Sequence, residues 1–225
     1  MKHKIIYLLM ILILITGCNK NIDDNNSLPK PEITGGERGT LGIDKNINEL
    51  TIDNYLNRED SVYRDMRMLK DEANYEAIGG DSYLSGYVKG FEVVPYPYLI
   101  KVEGLPEAVG ESYSGETLFF RDESGKIRPS YAESMDILEE LFPKDKIIFL
   151  MCGGGGYAGM TKNLLVELGW DGNKIYNTGG YWYYEGENKV VVKKDDGTYD
   201  FEHVPYHNID FSTLTLNVWN DANEE

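Results

Sequence analysis

Apolar residues in this chain form short continuous runs, separated by stretches in which they recur with a helical period. The run "KIIFLM" is continuous, which is typical of a strand buried on both faces of a parallel sheet. "SVYRDMRM", which begins at Ser61, "GFEVVPYPYLI" and "NKIYNTGG" predict three more strands. Because proline cannot donate a ladder hydrogen bond, Pro95 and Pro97 should place the "GFEVVPYPYLI" strand at a sheet edge or end it there.

Two segments between these runs predict helices. The apolar residues of 135–142 lie on one helical face, and residues 130–133 fit a capping box in front of them. Residues 158–168 again place their apolar side chains on one face, and Gly169 follows as a stop signal. The alternation of strands and helices predicts an α/β domain built on a parallel sheet.

The N-terminal part of the chain does not follow this pattern. Residues 1–17 carry Lys2 and Lys4 before a short apolar run, which predicts an export signal rather than a membrane span. The residues before Cys18 resemble the lipobox of bacterial lipoproteins, in which the cysteine is lipidated; an ordinary secretory signal with an incidental cysteine is the alternative. Residues 18–45 have no apolar period and many Asn, Asp, Gly and Pro residues, so they predict a flexible tether.

The rest of the chain divides into a domain and an extension. Residues 46–188 contain all the predicted strands and helices described above, and they are numerous enough for one core. Residues 189–225 predict a C-terminal extension that includes a β-hairpin, "VVVKKDDGTYDF", with its turn at Asp196 and Gly197.

Charge and cysteine content narrow the possible functions. The net charge is −16 and no basic stripe is visible, so nucleic acid is not an expected partner. If Cys18 carries lipid, Cys152 is left without a disulfide partner in an exported chain, which points to a reactive thiol; a buried structural cysteine is the alternative. His203 and His207 have no third ligand nearby, so neither a metal site nor a cofactor is expected.

The residues after Cys152 suggest what the thiol does. Ligands of open α/β sheets bind at the carboxyl ends of strands, where Cys152 should lie. Glycines allow successive N–H groups to point inward, and a helix that begins just after them adds its positive end. Both effects favour a thiolate, so the pattern predicts a nucleophilic Cys152 with a lowered pKa. The predicted anion-binding loop consists of Gly153, Gly154, Gly155, Gly156 and Tyr157.

Other interpretations of the loop are possible. It could be a glycine-rich turn beside a structural cysteine. A phosphate-binding loop would continue with Gly-Lys-Ser/Thr, which is missing here. A cysteine phosphatase needs an arginine at the far end of the loop, where this chain has Tyr157 and Ala158.

Three blocks of the chain together resemble the rhodanese family. "KIIFLMCGGGGYAGMTKNLLVELGWDGNKIYNTGGYWYYEG" resembles its strand, cysteine loop, helix, strand and Gly-Gly ending. "SGYVKGFEVVPY" resembles its earlier "GHIPGAxxIP" segment, and Asp65-Met66-Arg67 resembles its "DxR" strand end. The blocks lie in the family's order between about residues 50 and 185. The resemblance implies a doubly wound parallel sheet with helices on both faces, and Cys152 as the residue that carries sulfur as a persulfide.

The chain also departs from the family's pattern. Tyr157 replaces the usual loop arginine, and Tyr87 replaces a histidine of the earlier motif. A tyrosine hydroxyl brings no charge at neutral pH, so the dianion thiosulfate should bind poorly. Asp65 and Arg67 are expected to orient the loop from behind, and Tyr87 is expected to lie with them next to the loop. The insert at 102–130 has a length that is often found in lids and binding loops.

Together with the lipobox-like residues before Cys18, the resemblance to rhodaneses favours a membrane-anchored sulfurtransferase on the extracytoplasmic face, which takes sulfur from a small donor and passes it to a thiol acceptor. The alternative is a binding module that has lost turnover together with the arginine. A thiol redox protein is a weaker hypothesis, because no second cysteine could resolve an oxidised form. The aromatic residues of "TGGYWYYEG" are expected to pack in the core, with Trp182 or Tyr183 at the pocket as the alternative.

Overall fold

A computed structural model of the chain describes residues 27–219. The predicted signal peptide and Cys18 therefore lie outside the described residues. Within residues 27–219, no helix combines the length and the apolar character that a membrane crossing needs.

The secondary structure alternates between short strands and helices, as predicted. The strands are β1 (Ser61–Asp65), β2 (Gly86–Val88), β3 (Glu92–Val93), β4 (Phe119–Arg121), β5 (Ile127–Pro129), β6 (Ile147–Cys152), β7 (Ile175–Gly180) and β8 (Lys189–Val191). The α-helices are α1 (Gly36–Thr40), α2 (Tyr96–Leu99), α3 (Ser134–Leu141) and α4 (Gly156–Glu167). Short 3-10 helices span Ile52–Tyr55, Tyr75–Ile78, Gly172–Lys174, Tyr181–Tyr183 and Phe211–Thr213.

A parallel sheet of four strands forms the centre of the molecule, in the order β3-β1-β6-β7. Strand β6 pairs with β1 along most of its length, from Ile147 opposite Ser61 to Met151 opposite Asp65. All residues of β7, and all of β6 after Ile147, are buried, as expected for the interior of such a sheet. The predicted α/β domain with a parallel sheet is confirmed. Because the chain passes from β1 to β3 on one side and returns to β6 on the other, the strand order reverses between β1 and β6.

Alternate residues of the central strands feed two separate cores, as the strand period of two requires. On one face, Leu150 packs with Leu138 of α3 and Leu165 of α4. On the other face, Phe149 packs with Ile52 and other residues of the 3-10 helices and loops. Helices lie on both faces, as expected, but they differ in kind. The α-helices α2, α3 and α4 pack on the first face, and 3-10 helices and loops pack on the second.

The predicted edge position of β3 is confirmed, since this strand lies at one end of the sheet and ends two residues before Pro95. The predicted strand is otherwise wrong over Tyr96–Leu99, which form the helix α2 with Pro97 in its first turn. The predicted capping box is wrong. Helix α3 begins at Ser134, whose hydroxyl accepts the N–H of Tyr131 at 3.0 Å. In a capping box the Glu133 carboxylate would accept the N–H of Ser130, but that N–H is donated to the Leu118 carbonyl at 2.7 Å, and Glu133 accepts the N–H of Thr215 at 2.9 Å instead.

The C-terminal hairpin forms only in part. Its turn is present, with Lys194 N–H donating to the Thr198 carbonyl at 2.7 Å and Gly197 at a φ of +83°. One isolated bridge, between Lys193 and Tyr199, joins the two arms. The hairpin is short because β8 instead pairs antiparallel with β2, which uses the backbone groups of the first arm.

Segments from both ends of the described chain cover the edges of the sheet. Asp44 donates its N–H to the carbonyl of Asn177 in β7 at 2.8 Å, and Ile43 and Asp44 are buried. At the other edge, Val93 of β3 donates to Pro205 at 2.7 Å and accepts from His207 at 2.9 Å. The predicted flexible tether therefore does not extend to residue 45. Its irregular backbone has no apolar period, although it packs against the domain.

Candidate active site

Cys152 lies at the carboxyl end of β6, beside the end of β1, where the strand order reverses. Ligands of open α/β sheets bind at this kind of position. The thiol is 3% exposed, and its sulfur accepts the N–H of Gly155 at 3.0 Å. Gly155 has a φ of +106°, which a residue with a side chain rarely adopts, so the turn that brings this N–H to the sulfur depends on glycine.

The carbonyls of the loop are held by neighbouring groups. The Gly153 carbonyl accepts the N–H of Trp182 at 3.1 Å, and the Gly155 carbonyl accepts the side-chain amide of Asn177 at 2.9 Å. Helix α4 begins at Gly156, so its positive end lies next to the loop. Among the residues of the predicted anion-binding loop, the N–H of Gly155 donates to the sulfur.

The pKa of Cys152 shifts in the direction opposite to the prediction. Burial raises the pKa of the thiol, and the N–H groups of Ala158 and Gly155 lower it by less than burial raises it. The predicted lowering is wrong because the sequence shows the glycines that supply donors but does not show how deeply the sulfur is buried. Cys152 at neutral pH is therefore a neutral thiol, which must lose its proton before it can act as a nucleophile.

A cavity of about 250 Å³ reaches Cys152. Gly153, Gly154, Gly156 and Tyr157 of the predicted loop line it. Distant parts of the chain complete its mostly apolar wall, including Leu41 from the N-terminal segment, Leu105 from the 102–130 insert and Met160 from α4. The insert thus contributes to the site, as insert length alone suggested.

The Trp182 side chain explains why glycine is required at two positions. A Cβ atom on Gly153 would lie 2.4 Å from the indole ring, and one on Gly80 would lie 2.3 Å from it. Trp182 also lines the cavity, whereas Tyr183 is 52% exposed and stacks with Arg38 outside it. Of the two alternatives for the aromatic cluster, the pocket position applies to Trp182.

Asp65 and Arg67 form a buried ion pair at one wall of the cavity. The Arg67 guanidinium donates from Nη2 to Asp65 Oδ2 at 2.6 Å and from Nε to Oδ1 at 2.9 Å, and Nη2 also donates to the Gly86 carbonyl. Arg67 itself lines the cavity. Two buried donors of cavity-lining residues, Arg67 Nη1 and Trp182 Nε1, have no hydrogen-bond partner within the described part of the chain.

The cavity also carries a hydroxyl network that the sequence interpretation missed. Tyr157 donates its hydroxyl proton to Asp71 Oδ2 at 2.8 Å and accepts the hydroxyl of Tyr75 at 2.6 Å. Asp71 Oδ1 accepts Ser112 Oγ at 2.6 Å and the N–H of Ala73 at 3.0 Å. Burial, and then the charges of its neighbours, raise the pKa of Tyr157, so this residue is a fixed, neutral donor.

Two further predicted features lie away from the cavity. Tyr87 of β2 is not among the cavity's lining residues, and its hydroxyl lies 3.5 Å from the carbonyl of His203. It is therefore not next to the cysteine loop as expected, because the pairing of β2 with β8 turns it towards the C-terminal segment. His207 contacts Glu92 at 2.9 Å, and residues 27–219 contain no cluster of three or more metal-ligating side chains.

No protein-family model, no curated protein and no solved structure matches this chain. What the site can do chemically must therefore follow from its own geometry. That geometry combines a buried thiol where the strand order reverses, a cavity that reaches this thiol, and buried donors without partners in the described chain.

Proposed function

We propose that the protein is a rhodanese-like sulfurtransferase that carries sulfane sulfur as a persulfide on Cys152 and passes it to a thiol acceptor. The observation that carries this proposal is the position of the Cys152 sulfur, which ends a central strand where the strand order reverses and faces a cavity. The three rhodanese-like blocks of the sequence support it. In this proposal a lipid on Cys18 anchors the protein to the extracytoplasmic face of a membrane.

The proposed reaction has two displacement steps. After Cys152 loses its proton to solvent, the thiolate attacks a sulfane sulfur of a polysulfide, and an S–S bond forms as the donor's S–S bond breaks. The shortened polysulfide leaves with the bonding electron pair. An acceptor thiolate then attacks the outer sulfur, and Cys152 leaves as a thiolate. No oxidant or reductant is needed beyond the donor and the acceptor.

The unpartnered donors favour a stored sulfur anion. The outer sulfur of a persulfide extends beyond the cysteine sulfur into the cavity, which Arg67 and Trp182 both line. A buried donor without a partner costs about 1–3 kcal/mol. An anionic sulfur that accepts a hydrogen bond from either group would remove that cost, in the way that an oxyanion hole stabilises an intermediate.

A second candidate function is a rhodanese-like binding module without turnover. The raised pKa of Cys152 favours this alternative, because a neutral thiol is a poor nucleophile. The replacement of the family's loop arginine by Tyr157, which is held by Asp71, favours it as well.

Mass spectrometry of the peptide that contains Cys152 tests the proposal. The folded full-length protein is exposed to polysulfide and, separately, to thiosulfate, with Cys152→Ser as the control. We expect the gain of one sulfur atom to be fast from polysulfide, slow from thiosulfate and abolished in the variant. If the folded protein takes sulfur from no sulfane donor, the binding module becomes the better proposal.

The anchor is tested separately. Cys18→Ala should release the protein from membranes or leave its signal unprocessed, as shown by fractionation and by the mass of the product. Unchanged processing and membrane association in this variant would contradict lipidation.

A further inference from the structure

The charges that line the cavity do not balance. Arg67 is its one cationic lining residue in the described chain, and the buried carboxylate of Asp65 already neutralises it at 2.6 Å. Two carboxylates also line the cavity, those of Asp71 and Asp81. Neither forms an ion pair within residues 27–219: the hydrogen-bond donors to Asp71 are hydroxyls and a backbone N–H, and Asp81 accepts the N–H of Tyr83 at 2.8 Å. The cavity therefore carries negative charge.

Aromatic rings line the same cavity as these carboxylates. The rings of Tyr75 and Tyr157 lie 6.1 Å apart, those of Tyr75 and Trp182 lie 5.8 Å apart, and all three residues line the cavity. The face of an aromatic ring attracts cations, and this attraction adds to that of a nearby carboxylate. This part of the wall is suited to a positively charged group.

Two donors in the same cavity suit a different group. Arg67 is 6% exposed, and its Nη1 donor has no partner within the described residues. Trp182 Nε1 is a second donor of this kind, and both residues lie on the cavity with Cys152. Donors beside a reactive sulfur suit a second sulfur that carries negative charge. The cavity thus offers donors for an anionic sulfur, and carboxylates with aromatic faces for a cation.

We propose that the acceptor thiol is a small aminothiol, a molecule that carries a thiol and an ammonium group a few bonds apart. This inference rests on the proposed function and specifies its substrate class. The thiolate of the aminothiol attacks the outer sulfur of the Cys152 persulfide, the bond to Cys152 breaks, and Cys152 keeps the electron pair. The ammonium group contacts Asp71, Asp81 and the aromatic faces. A cavity of about 250 Å³ has room for a molecule of this size.

The charge preference can be measured without any sulfur transfer. Methanethiosulfonates that carry an aminoethyl or a sulfonatoethyl group modify a thiol by the same reaction: the thiolate forms a disulfide and a sulfinate leaves. Their rates at Cys152 in the full-length protein, each divided by the rate with free 2-mercaptoethanol at the same pH and salt, report the cavity charge. We expect the cationic reagent to react at least about tenfold faster on this scale. Equal rates, a faster anionic reagent or no labelling by either would overturn the inference.

Three variants locate the charge that is responsible. Asp71→Asn and Asp81→Asn should each reduce the preference for the cationic reagent by a few-fold. Asp81→Asn keeps an oxygen that can accept the Tyr83 N–H, so it remains informative if Asp71→Asn fails to fold. Glu76→Gln removes the same charge from an exposed position near the cavity and should leave the preference unchanged. An equal change in Asp81→Asn and Glu76→Gln would show that only the surface charge matters, and the inference would be wrong.

Sulfur transfer supplies the second test. Protein loaded with polysulfide is mixed with cysteamine or with 3-mercaptopropionate, and the loss of persulfide is followed at equal thiolate concentrations. We expect cysteamine to react at least about tenfold faster. A charge preference in labelling without any sulfur uptake would refute the sulfurtransferase and leave a cavity selective for cations. Sulfur uptake without a charge preference in either assay would refute the aminothiol and leave the sulfurtransferase.

Discussion

Two buried carboxylates lie near the candidate site, and they differ in whether a positive charge balances them. Asp65 is held by the guanidinium of Arg67, so this wall of the cavity is close to neutral. Asp71 is held by the hydroxyls of Ser112 and Tyr157 and by a backbone N–H, all of them neutral donors. Both carboxylates satisfy the need of a buried polar group for hydrogen bonds. The difference shows that full hydrogen bonding does not imply neutral charge: Arg67 balances the charge of Asp65, whereas no ion pair within the described residues balances the charge of Asp71.

The largest expected effect concerns the ion pair between Asp65 and Arg67. Asp65→Asn leaves the Arg67 cation buried without its counterion, which should lower the free energy of unfolding by about 3–5 kcal/mol. Urea denaturation of the full-length protein measures this change. Asp200→Asn, which breaks an exposed pair with Lys194, is the matched control and should have little effect. If both variants unfold at the same urea concentration as the unmodified protein, the Asp65–Arg67 pair contributes nothing to folding.

The next effect concerns Asp71, whose charge has no counterion within the described residues. Tyr157→Arg places a guanidinium beside Asp71 and should neutralise it, as Arg67 neutralises Asp65. Because hydrogen bonds between charged groups contribute about 1.5–3 kcal/mol, the rate of sulfur uptake from thiosulfate should rise about ten- to a hundredfold. Uptake from polysulfide is measured in parallel, as the control that the variant can still load sulfur on Cys152. A variant that is folded and loads from polysulfide, but gains no rate with thiosulfate, would contradict this view of Tyr157.

A smaller effect is expected when Tyr157 loses only its hydroxyl. Tyr157→Phe removes one donor from Asp71 and the acceptor of Tyr75, which should lower the free energy of unfolding by about 1–3 kcal/mol. Thermal or urea unfolding measures the change. Tyr183→Phe, at an exposed ring outside the cavity, is the control. Because Tyr157→Phe leaves the Asp71 carboxylate in place, the preference for the cationic reagent should persist in this variant. Loss of the preference would show that the Asp71 charge is not its cause.

The smallest effect concerns the Cys152 thiol itself. Its pKa is raised by burial, so the alkylation rate should reach half its maximum at a pH above the free-thiol value of about 8.5. The same shift means that the neutral thiol contributes to stability at low pH, and this contribution is lost as the pH rises from the unfolded pKa through the folded one. Asp65 raises this pKa and Arg67 lowers it, so replacing both should move the midpoint little. An alkylation midpoint at or below that of a free thiol would show that the sulfur is not buried in solution.

The sequence allowed the local parts of the site to be predicted, but not the parts assembled from a distance. The apolar run of β6 ends at Cys152, and the glycines after it predict a loop and a helix start, because both signals lie within a few adjacent residues. Asp71, Ser112 and Tyr157 lie 41 to 86 positions apart, so no pattern along the chain could predict their contact. The direction of the Cys152 pKa was missed for the same reason. It depends on burial, to which the whole tertiary structure contributes.

The flanking segments have a consequence for any attempt to shorten the protein. The exposed edge of a sheet is a template for other chains, and globular proteins avoid aggregation by covering such edges. Here residues around Asp44 cover part of β7, and residues 205–207 cover β3. Both covering segments lie outside residues 46–188, which the sequence pattern predicts as the domain. A fragment trimmed to that span would keep every strand of the central sheet and yet expose both of its edges. Such a fragment should associate with itself. A shortened protein that stays soluble should retain the chain from residue 27 to beyond residue 207.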